Sequence, residues 1–525
     1  MTGKHLIPIW LSSAPQFLAM PLMLPALTWF DDKAQPIMDL ATKVDVNADA
    51  TSFTFTLPKN AVWSNGTPLT AKDVAFTYKL ALDPSIASTL WGINLSSING
   101  AVEYQKGTAK DVAGIKVVND QTIRFDLKEP NATFLFNTYL GILPSQVLGK
   151  IDPKEIEKQA FVDAPTVTSG PFDFVKYEPG QYIQLKKKVN YWGKSVNVED
   201  VFIRLFDQSS NMLAALDSGD VNVAPISLDQ AKWFRNKTNL DVLSTRSINY
   251  TVLYVDARTK DQIGILTKPK DQGGAGLPIT KTPKPYLADK RFRQVLALAI
   301  DGKAAIQALA NGEASPIYSA ISAPDWAVGP NLSKYDFDLD KARSLLSAVG
   351  VTIDFQGKAI YNTSPVTLTY LAPMGDDSRK LGEYLQQQLA KLGISIDIKL
   401  VASSDFLLAA INGDGDLIRG IGNRLGADPS VSAQFYACKA GWANWVMGYC
   451  NPRFDELQSR GLANYKTDDR KKIYPDASAI LNDELPSIFL YAPNVLFGVK
   501  KGTVGIKPSA DPNYLTWNIQ EWSVR

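Results

Sequence analysis

The stretch VTLTYLAPMGDDSRKLGEYLQQQLAKLGISIDIKL (Val366–Leu400) carries the clearest fold signal in the sequence. Apolar and polar residues alternate from Val366 to Tyr370, which is the period of a strand. Leucines then recur at helical spacing until Gly393, a residue type that commonly ends helices. Alternation returns at Ile394. This order predicts two parallel strands joined by a right-handed helical crossover, and therefore an α/β fold.

Weaker patterns of the same kind extend through the rest of the chain. Thr70 with Asp73 three residues later resembles a capping box, and Gly219 is suited to end a helix. The segment Ala257–Pro285 is rich in Lys, Gly and Pro, which predicts an exposed connector. Further strands are predicted at Phe53–Leu57, Phe172–Tyr177, Tyr182–Lys187 and Val201–Leu205, and further helices near Val74–Ala81, Ser210–Ser218, Phe292–Ile300 and Ala342–Val349.

The segment Leu6–Phe30 is strongly apolar, but four prolines argue against a membrane span, because each lacks a backbone donor. We predict a buried strand followed by a broken helix. No secretion signal precedes this segment, and no lipid-acceptor cysteine follows it. If the protein is exported, we expect its leader to have been removed. The prolines are Pro8, Pro15, Pro21 and Pro25.

The composition excludes several classes of protein. A chain of 525 residues is expected to form two or three domains. The 55 Lys and Arg nearly balance the 53 Asp and Glu, so neither nucleic acid nor an anionic membrane is expected as the main partner. The one histidine, His5, lies in what we expect to be a loose tail, which argues against histidine-dependent catalysis. A carboxylate-dependent glycoside hydrolase survives this filter, but spacing singles out no pair of acids.

No cofactor or metal is expected from the sequence. Cys438 and Cys450 are too few for a structural zinc site, and they form either a disulfide or two buried thiols. GIGNRLG (Gly420–Gly426) departs from the dinucleotide-binding spacing and follows a Gly/Asp turn. No phosphate-binding loop of the Walker type occurs in the sequence, so any ATPase is expected to be a separate subunit.

Six segments, in order along nearly the whole chain, resemble landmarks of the family 5 extracellular solute-binding proteins. These are the peptide-, nickel- and oligosaccharide-binding components of ABC importers. One such segment would be weak evidence, but six in family order are specific. The segments are FTFTLPKNAVWSNGTPLTAKDVAFTYKLALDP (Phe53–Pro84), SGPFDFVKYEPGQYIQLKKKVNYWG (Ser169–Gly193), MLAALDSGDVNV (Met212–Val223), KRFRQVLALAIDGKAAI (Lys290–Ile306), YDFDLDKARSLLSAVGV (Tyr335–Val351) and GYCNPRFDEL (Gly448–Leu457).

The resemblance implies a periplasmic-binding-protein-like, two-lobed clamp of type II with an extra subdomain in the first lobe. Residues 1–45, 165–260 and 487–525 are expected to form lobe I, residues 46–164 the extra subdomain, and residues 261–486 lobe II. A peptide-like or oligosaccharide solute would be held in the cleft between the lobes.

The same resemblance implies a binding protein rather than an enzyme. A monomer on the periplasmic or extracellular face of the cell membrane would pass its solute to ABC permease subunits. A sensory or chaperone protein on the same fold is an alternative that the sequence does not separate from transport.

Candidate ligand-binding residues follow from where the resemblance implies a cleft edge. The first two candidates are Trp10, near the end of the first predicted strand, and Ser13. Asn249 and Tyr250 precede the strand TVLYVDAR and could orient a polar ligand, although an ordinary strand tyrosine is equally plausible. Arg424 could pair with a carboxylate or with sugar hydroxyls, or form a salt bridge within the lobe.

Trp442 and Trp445 are three residues apart, so on a helix they would share one face. They could form a stacking platform for a ligand, but a place in the lobe core is the more common role for large aromatic residues.

The ligand class is narrowed by a missing acid. Peptide-binding members of the family carry an aspartate that receives the peptide amino terminus, and Leu425 occupies the matching position here. Asp428 is near but out of register, so a peptide with a free amine is disfavoured. The nickel-binding branch is also disfavoured, because His5 lies outside the expected cleft.

Overall fold

The computed structural model describes residues 5–11, 13–86, 88–422 and 426–525. The chain divides into two compact units, and each is discontinuous in sequence. Unit 1 comprises Met1–Thr245, Leu462–Thr467 and Val495–Arg525. Unit 2 comprises Arg246–Gly461 and Asp468–Asn494.

Helices occur throughout the described residues. A 3-10 turn forms at Pro8–Trp10 and a π-helical turn at Ala443–Met447. The α-helices are α1 Ala14–Met23, α2 Ala71–Ala81, α3 Thr89–Asn94, α4 Ala101–Gln105, α5 Ser145–Leu148, α6 Pro153–Ile156, α7 Ala160–Asp163, α8 Ser209–Ser218, α9 Ala231–Arg235, α10 Lys260–Thr267, α11 Pro285–Ala288, α12 Lys290–Ala299, α13 Gly302–Ala310, α14 Leu339–Ala348, α15 Asp376–Ala390, α16 Phe406–Asn412, α17 Pro429–Ala433, α18 Pro452–Leu462, α19 Thr467–Arg470 and α20 Tyr474–Glu484.

Strands alternate with these helices. They are β1 Thr28–Phe30, β2 Pro36–Met38, β3 Lys43–Val46, β4 Ser52–Thr56, β5 Ile115–Asn119, β6 Thr122–Asp126, β7 Phe172–Glu178, β8 Tyr182–Lys187, β9 Asp200–Arg204, β10 Val223–Ile226, β11 Leu240–Arg246, β12 Tyr250–Val255, β13 Ala314–Pro316, β14 Val351–Ile353, β15 Ala359–Tyr361, β16 Ser364–Pro365, β17 Thr367–Pro373, β18 Ser395–Val401, β19 Leu417–Gly422, β20 Ser487–Lys500, β21 Thr503–Val504 and β22 Ser523–Val524.

The central sheet of unit 2 confirms the predicted crossover. Its strand order is β20–β12–β19–β17–β18, and β17 is parallel to both β18 and β19. Helix α15 joins β17 to β18 and packs against the sheet face that carries Tyr370, because Gly382 brings the helix close to that ring. The opposite face carries the main hydrophobic core of the unit, which includes Tyr250, Val252 and Ile418.

Two glycines of the GIGNRLG segment have a packing role in this sheet. Gly420 and Gly422 lie within β19, directly opposite β12. A Cβ atom at Gly420 would lie 2.0 Å from the ring of Tyr254, and one at Gly422 would lie 2.0 Å from the ring of Tyr250. The glycines therefore make room for two core tyrosines, which accounts for a pattern that superficially resembles a nucleotide-binding loop.

Unit 1 contains separate small sheets. One has the order β3–β4–β6–β5, and another is the three-stranded sheet β7–β8–β9, whose first two strands form the predicted hairpin. The capping box is also confirmed, since the backbone N–H of Thr70 donates to Asp73 Oδ2 at 2.8 Å at the start of α2. Helix α8 ends at Gly219, whose φ of 82° is the left-handed conformation that favours glycine.

Three predictions about local structure are wrong. Leu6–Phe30 does not begin with a strand: its first element is the turn Pro8–Trp10, because a proline cannot donate to a sheet. The helix that follows includes Pro21 and is continuous from Ala14 to Met23. His5 is not in a loose tail, since its Nδ1 lies 2.9 Å from Asp163 Oδ1.

The segment Ala257–Pro285 is more ordered than a connector. It contains α10, which starts from a capping box formed by Thr259 and Gln262. It also contributes two buried cations, Arg258 and Lys281, to the interior of unit 2. Composition alone did not reveal these elements, because the capping residues and the cations look like ordinary surface residues in the sequence.

Candidate functional site

The candidate site is built on one strand of unit 2, β19 (LIRGIG). Its alternation places Arg419 on the same face as Leu417 and Ile421, so one charge stands on an otherwise apolar strand face. The neighbouring strands β12, β17 and β20 bring polar side chains to the same face. We define the Arg419 site as Thr251, Tyr370, Ser378, Arg419 and Tyr491.

Strand register explains why these side chains meet. Thr251 lies opposite Ile421 on one side and opposite Tyr491 on the other, and directly opposed residues share a face. Tyr370 is the register partner of Leu417 on the parallel side of β19. Ser378 comes from the first turn of α15, the helix that covers this face.

Arg419 is incompletely satisfied within the described part of the chain. Its Nη1 donates to Ser378 Oγ at 2.7 Å. Its Nε is buried without a hydrogen-bond partner, and no described carboxylate lies within 4.0 Å of the guanidinium. A buried donor left without a partner is costly, so native proteins rarely keep one without a reason.

Two further polar atoms are unsatisfied, one in the site at Tyr370 and one just before β12 at Asn249. The Tyr370 hydroxyl and Asn249 Oδ1 are buried, and neither has a hydrogen-bond partner among the described residues. Burial raises the pKa of both Tyr370 and Tyr491, although Arg419 acts in the opposite direction on each. The two hydroxyls therefore stay protonated near neutral pH and can donate hydrogen bonds. Together with Arg419, they offer donors suited to an anionic or strongly polar group.

Apolar side chains flank this polar group. Ile421 at the end of β19 is 47% exposed, and Met374, just after β17, is 66% exposed. Both lie at the carboxyl ends of parallel strands, the edge at which open α/β sheets bind ligands. Convergent polar donors beside accessible apolar surface are what a small-molecule site needs.

The structure separates the predicted pair Asn249 and Tyr250. Asn249 lies just before β12 with a buried Oδ1 that has no described hydrogen-bond partner, whereas Tyr250 is 2% exposed in the hydrophobic core. Burial raises the pKa of the Tyr250 hydroxyl, which is consistent with a packing role. A ligand role for either residue stays a prediction.

Trp10 and Ser13 belong to unit 1. Trp10 ends the turn Pro8–Trp10, so its predicted position at the end of a strand is wrong; its ring lies 5.4 Å from that of His5. Ser13 is the N-cap of α1, and its backbone N–H donates to Gln16 Oε1 at 3.0 Å. Ser13 thus has a helix-capping role, and ligand binding by either residue stays a prediction.

Trp442 and Trp445 do not share a face. The turn Ala443–Met447 is π-helical, so a residue three positions on falls well short of a full turn. Trp442 packs edge-on to Tyr254 at 5.1 Å, against the core, whereas Trp445 is 40% exposed. A disulfide joins Cys438 and Cys450 across the segment that carries both tryptophans.

Arg424 and Leu425 lie outside the described residues. The nearby Asp428 has both carboxylate oxygens occupied, because Arg470 donates to them at 2.7 and 2.8 Å. Asp428 also caps α17 and is only 4% exposed. This carboxylate is committed to the interior of unit 2 and is not presented to a ligand amine.

A second charged cluster of unit 2 contrasts with the Arg419 site. We define the Asp416 network as Asp256, Arg258, Lys281, Lys284 and Asp416. Lys281 Nζ lies 2.8 Å from Asp416 Oδ1 and 3.0 Å from Asp256 Oδ2. Lys284 Nζ lies 2.6 Å from Asp416 Oδ2, and Arg258 forks onto Asp256 at 2.6 and 2.9 Å.

Asp416 is fully engaged in this network. The backbone N–H of Thr369 also donates to its Oδ2 at 2.8 Å. Burial alone would raise the pKa of Asp416, but Lys281 and Lys284 outweigh burial and hold the pKa below its ordinary value. The cluster is a structural element of the fold rather than a candidate site.

Sequence reasoning missed Arg419. The available signal was a single charge inside an alternating apolar strand, five residues before the predicted Arg424. The decisive feature, a guanidinium without an acidic partner, depends on the register of several strands and was not readable from sequence.

Comparison with known proteins identifies the family. The model of "Bacterial extracellular solute-binding proteins, family 5 Middle" matches residues 35–444. The chain belongs to this family of solute-binding proteins, as its sequence predicted, and so to a class of binding proteins rather than enzymes. Among the described residues, no helix combines the length and apolarity that a membrane span requires. Within the same residues, no group of three or more His, Cys, Asp or Glu side chains is placed to hold a metal ion.

Relatives at lower identity agree with this assignment. A Brucella ovis protein described as an ABC transporter peptide-binding protein is 28% identical over 376 residues, which is 70% of this chain. The match spans 61% of the length of that relative. The oligopeptide-binding protein AppA of Bacillus subtilis is 22% identical over 505 residues, covering 94% of this chain and 85% of AppA.

Solved structures show the fold. The unliganded, open form of MppA, a periplasmic murein tripeptide-binding protein, has a TM-score of 0.80 at 17% identity, covering 99% of this chain and 95% of MppA. NikZ from Campylobacter jejuni, in complex with Ni(L-His), has a TM-score of 0.72 at 22% identity, covering 99% of this chain and 97% of NikZ. The predicted fold class, that of the periplasmic binding proteins, is confirmed.

Proposed function

We propose that this protein is the solute-binding component of an ABC importer and that its Arg419 site receives the carboxylate of a peptide-like solute. The proposal is carried by one observation, the unsatisfied hydrogen-bond donors of Arg419. Its guanidinium has one bond to Ser378 Oγ, a buried Nε without a partner and no described acid within 4.0 Å. An anionic ligand would satisfy these donors with charge-assisted hydrogen bonds.

The peptide-like class is supported by two kinds of observation. AppA and MppA, which resemble this chain, are described as binding oligopeptides and a murein tripeptide. Within unit 2, Asp428 is sequestered by Arg470, so recognition of a free amine by that acid is not expected. We therefore propose a ligand that is recognised through its carboxylate and tolerates a blocked amine.

The remaining features of the proposal follow from the family. We propose that the protein acts as a monomer outside the cytoplasmic membrane and passes its solute to permease subunits. We also propose the lobe boundaries given above, with residues 46–164 as the extra subdomain. Strands β4, β5 and β6 of one small sheet lie inside that range and support the subdomain, while β3 of the same sheet begins at Lys43, just before it.

Calorimetric titration of the full chain with a matched set of tripeptides tests the ligand class. The set is a free tripeptide, its N-acetyl form and its C-terminal amide. We expect the free and N-acetyl acids to bind similarly and the amide about 10- to 100-fold more weakly, because one charge-assisted contact is lost. Equal binding of acid and amide would contradict the carboxylate assignment.

An oligosaccharide ligand is the second candidate, and Trp445 is the observation that favours it. Its ring is 40% exposed, and an exposed indole can stack on a sugar face. Titration with maltotriose, read by tryptophan fluorescence, tests this candidate against Trp445→Ala. A carboxylate-dependent hydrolase is tested separately on chromogenic glycosides, for which we expect no turnover.

A further inference from the structure

A cavity in unit 2 forms where the chain leaves the edge of its sheet. Strand β13 pairs with Tyr491–Pro493 of β20 and ends at Pro316, which cannot donate a backbone hydrogen bond. The chain then turns away, and the carbonyl of Tyr318 accepts from Asn482 Nδ2 at 2.8 Å. Strand β20 nevertheless continues back to Ser487. A cavity of about 360 Å³ lies beside this part of β20.

The lining of this cavity, which we call the Lys334 cavity, is divided by chemistry. Its apolar residues come from α12, from the segment that follows β13, and from β20. Its polar residues come mainly from α13 and from the segment before α14. The apolar residues include Ala297, Ile300, Ile317, Ile488, Phe489 and Leu490. The polar residues are Asp301, Lys303, Tyr318, Lys334, Tyr335 and Asp336.

The two acids and two lysines that line the cavity are not all paired with one another. The carboxylate of Asp301 caps α13, accepting from the N–H of Ala304 at 2.9 Å. Asp336 is paired with Lys303 at 3.4 Å. Lys334 has no ion pair or hydrogen bond with another described side chain. The rim therefore offers one uncommitted ammonium beside an apolar floor.

We propose that the Lys334 cavity binds a small amphipathic monocarboxylate, with its carboxylate at Lys334 and its apolar body against Ile317, Ile488 and Leu490. The cavity volume falls in the lower part of the range typical of small-molecule sites. A compact anion with an apolar chain matches both the size and the charge. None of the lining residues belongs to the Arg419 site, so the two sites are distinct.

Titration of the full chain with octanoate, hexanoate, octan-1-ol and octylammonium tests the ligand class. Octanoate is expected to bind best, and removal of two methylenes should weaken binding about 15-fold, because each buried methylene contributes roughly a fourfold change. Octan-1-ol should bind at least tenfold more weakly than octanoate. Octylammonium binding as tight as octanoate would overturn the proposal, because it would assign the site to the aspartates.

Two variants locate the binding. Lys334→Met should weaken octanoate at least tenfold while leaving octan-1-ol unchanged, and Ala297→Phe should block both ligands by filling the cavity. Lys341→Met removes an exposed lysine of α14 that is not part of the lining and is the matched control. Full octanoate affinity in Lys334→Met would overturn the proposal. Lys334 is exposed, so we expect Lys334→Met to fold. It therefore tests the proposal even if Ala297→Phe fails to fold.

Discussion

Asp416 and Arg419 stand three residues apart at β19, and their surroundings differ completely. Asp416 receives Lys281, Lys284 and a backbone N–H, so its carboxylate is fully paired. Arg419 has one bond to Ser378 and an unpaired buried Nε. Removing a member of a fully paired buried cluster leaves an uncompensated charge, whereas the half-buried Arg419 keeps donors that a ligand could use. A structural charge and a candidate binding charge thus lie only three residues apart in the sequence, one just before β19 and one within it.

The largest expected effect is a loss of folding stability when the fully paired Asp416 is replaced. Asp416→Asn leaves Lys284 without its counter-charge and Lys281 with Asp256 alone, and we expect it to lower the free energy of unfolding by about 3–5 kcal/mol. Urea unfolding followed by circular dichroism measures this. Asp414→Asn, which breaks a partly exposed pair with Lys399, is the control and should cost less than about 1 kcal/mol. Equal losses in the two variants would contradict the account.

The second effect is weaker ligand binding when Arg419, whose donors are incompletely paired, is replaced. Arg419→Gln should weaken binding of a peptide acid about 10- to 100-fold, while the free energy of unfolding changes by less than about 1 kcal/mol. Calorimetry and urea unfolding of the same preparation measure both quantities. Arg379→Gln is the matched control, because Arg379 is exposed and already paired with Asp376 and Glu383. A large loss of stability in Arg419→Gln would assign Arg419 to the fold instead.

The third effect is a dependence of folding stability on pH that arises from Asp416. The pKa of Asp416 is lower in the folded chain than its ordinary value, so its contribution is present above that value and is lost as pH falls through the folded pKa. We expect the urea midpoint to fall more steeply below about pH 4 in the native chain than in Asp416→Asn. Parallel pH profiles for the two chains would show that Asp416 carries no such linkage.

The smallest effect is expected when a buried hydroxyl that makes no hydrogen bond with the described residues is removed. The Tyr370 hydroxyl has no described partner, so Tyr370→Phe should change the free energy of unfolding by no more than about 0.5 kcal/mol. Tyr436→Phe is the control, because that hydroxyl bonds Ser487 Oγ at 3.1 Å and its removal should cost about 1 kcal/mol. If Tyr370→Phe proved the more costly of the two in thermal or urea unfolding, the hydroxyl would have an unrecognised structural partner.

Local patterns predicted the parts of the fold that depend on nearby residues. The crossover from β17 through α15 to β18 follows from periodicity, and the capping box of Thr70 follows from a fixed spacing. Pro8 was the obstacle in the first segment, because apolar composition suggested a strand that a missing donor prevents. Order along the chain, rather than any single motif, identified the family.

The candidate site was only partly predictable because pairing depends on register. Asn249 was placed at a ligand-facing edge from the resemblance, and its side-chain Oδ1 is buried without a described hydrogen-bond partner. Tyr250, one residue later, points to the core, since adjacent strand residues face opposite sides. Whether Arg419 meets an acid is decided by strands more than a hundred residues apart, and no local pattern in the sequence carries that information.

The most direct test of the central claim combines ligand and protein changes in one cycle. Calorimetric affinities are measured for a tripeptide acid and its C-terminal amide, each with the native chain and with Arg419→Gln. We expect the native chain to prefer the acid by about 10- to 100-fold and Arg419→Gln to bind both alike. An undiminished preference for the acid in Arg419→Gln would contradict the claim that Arg419 receives the carboxylate.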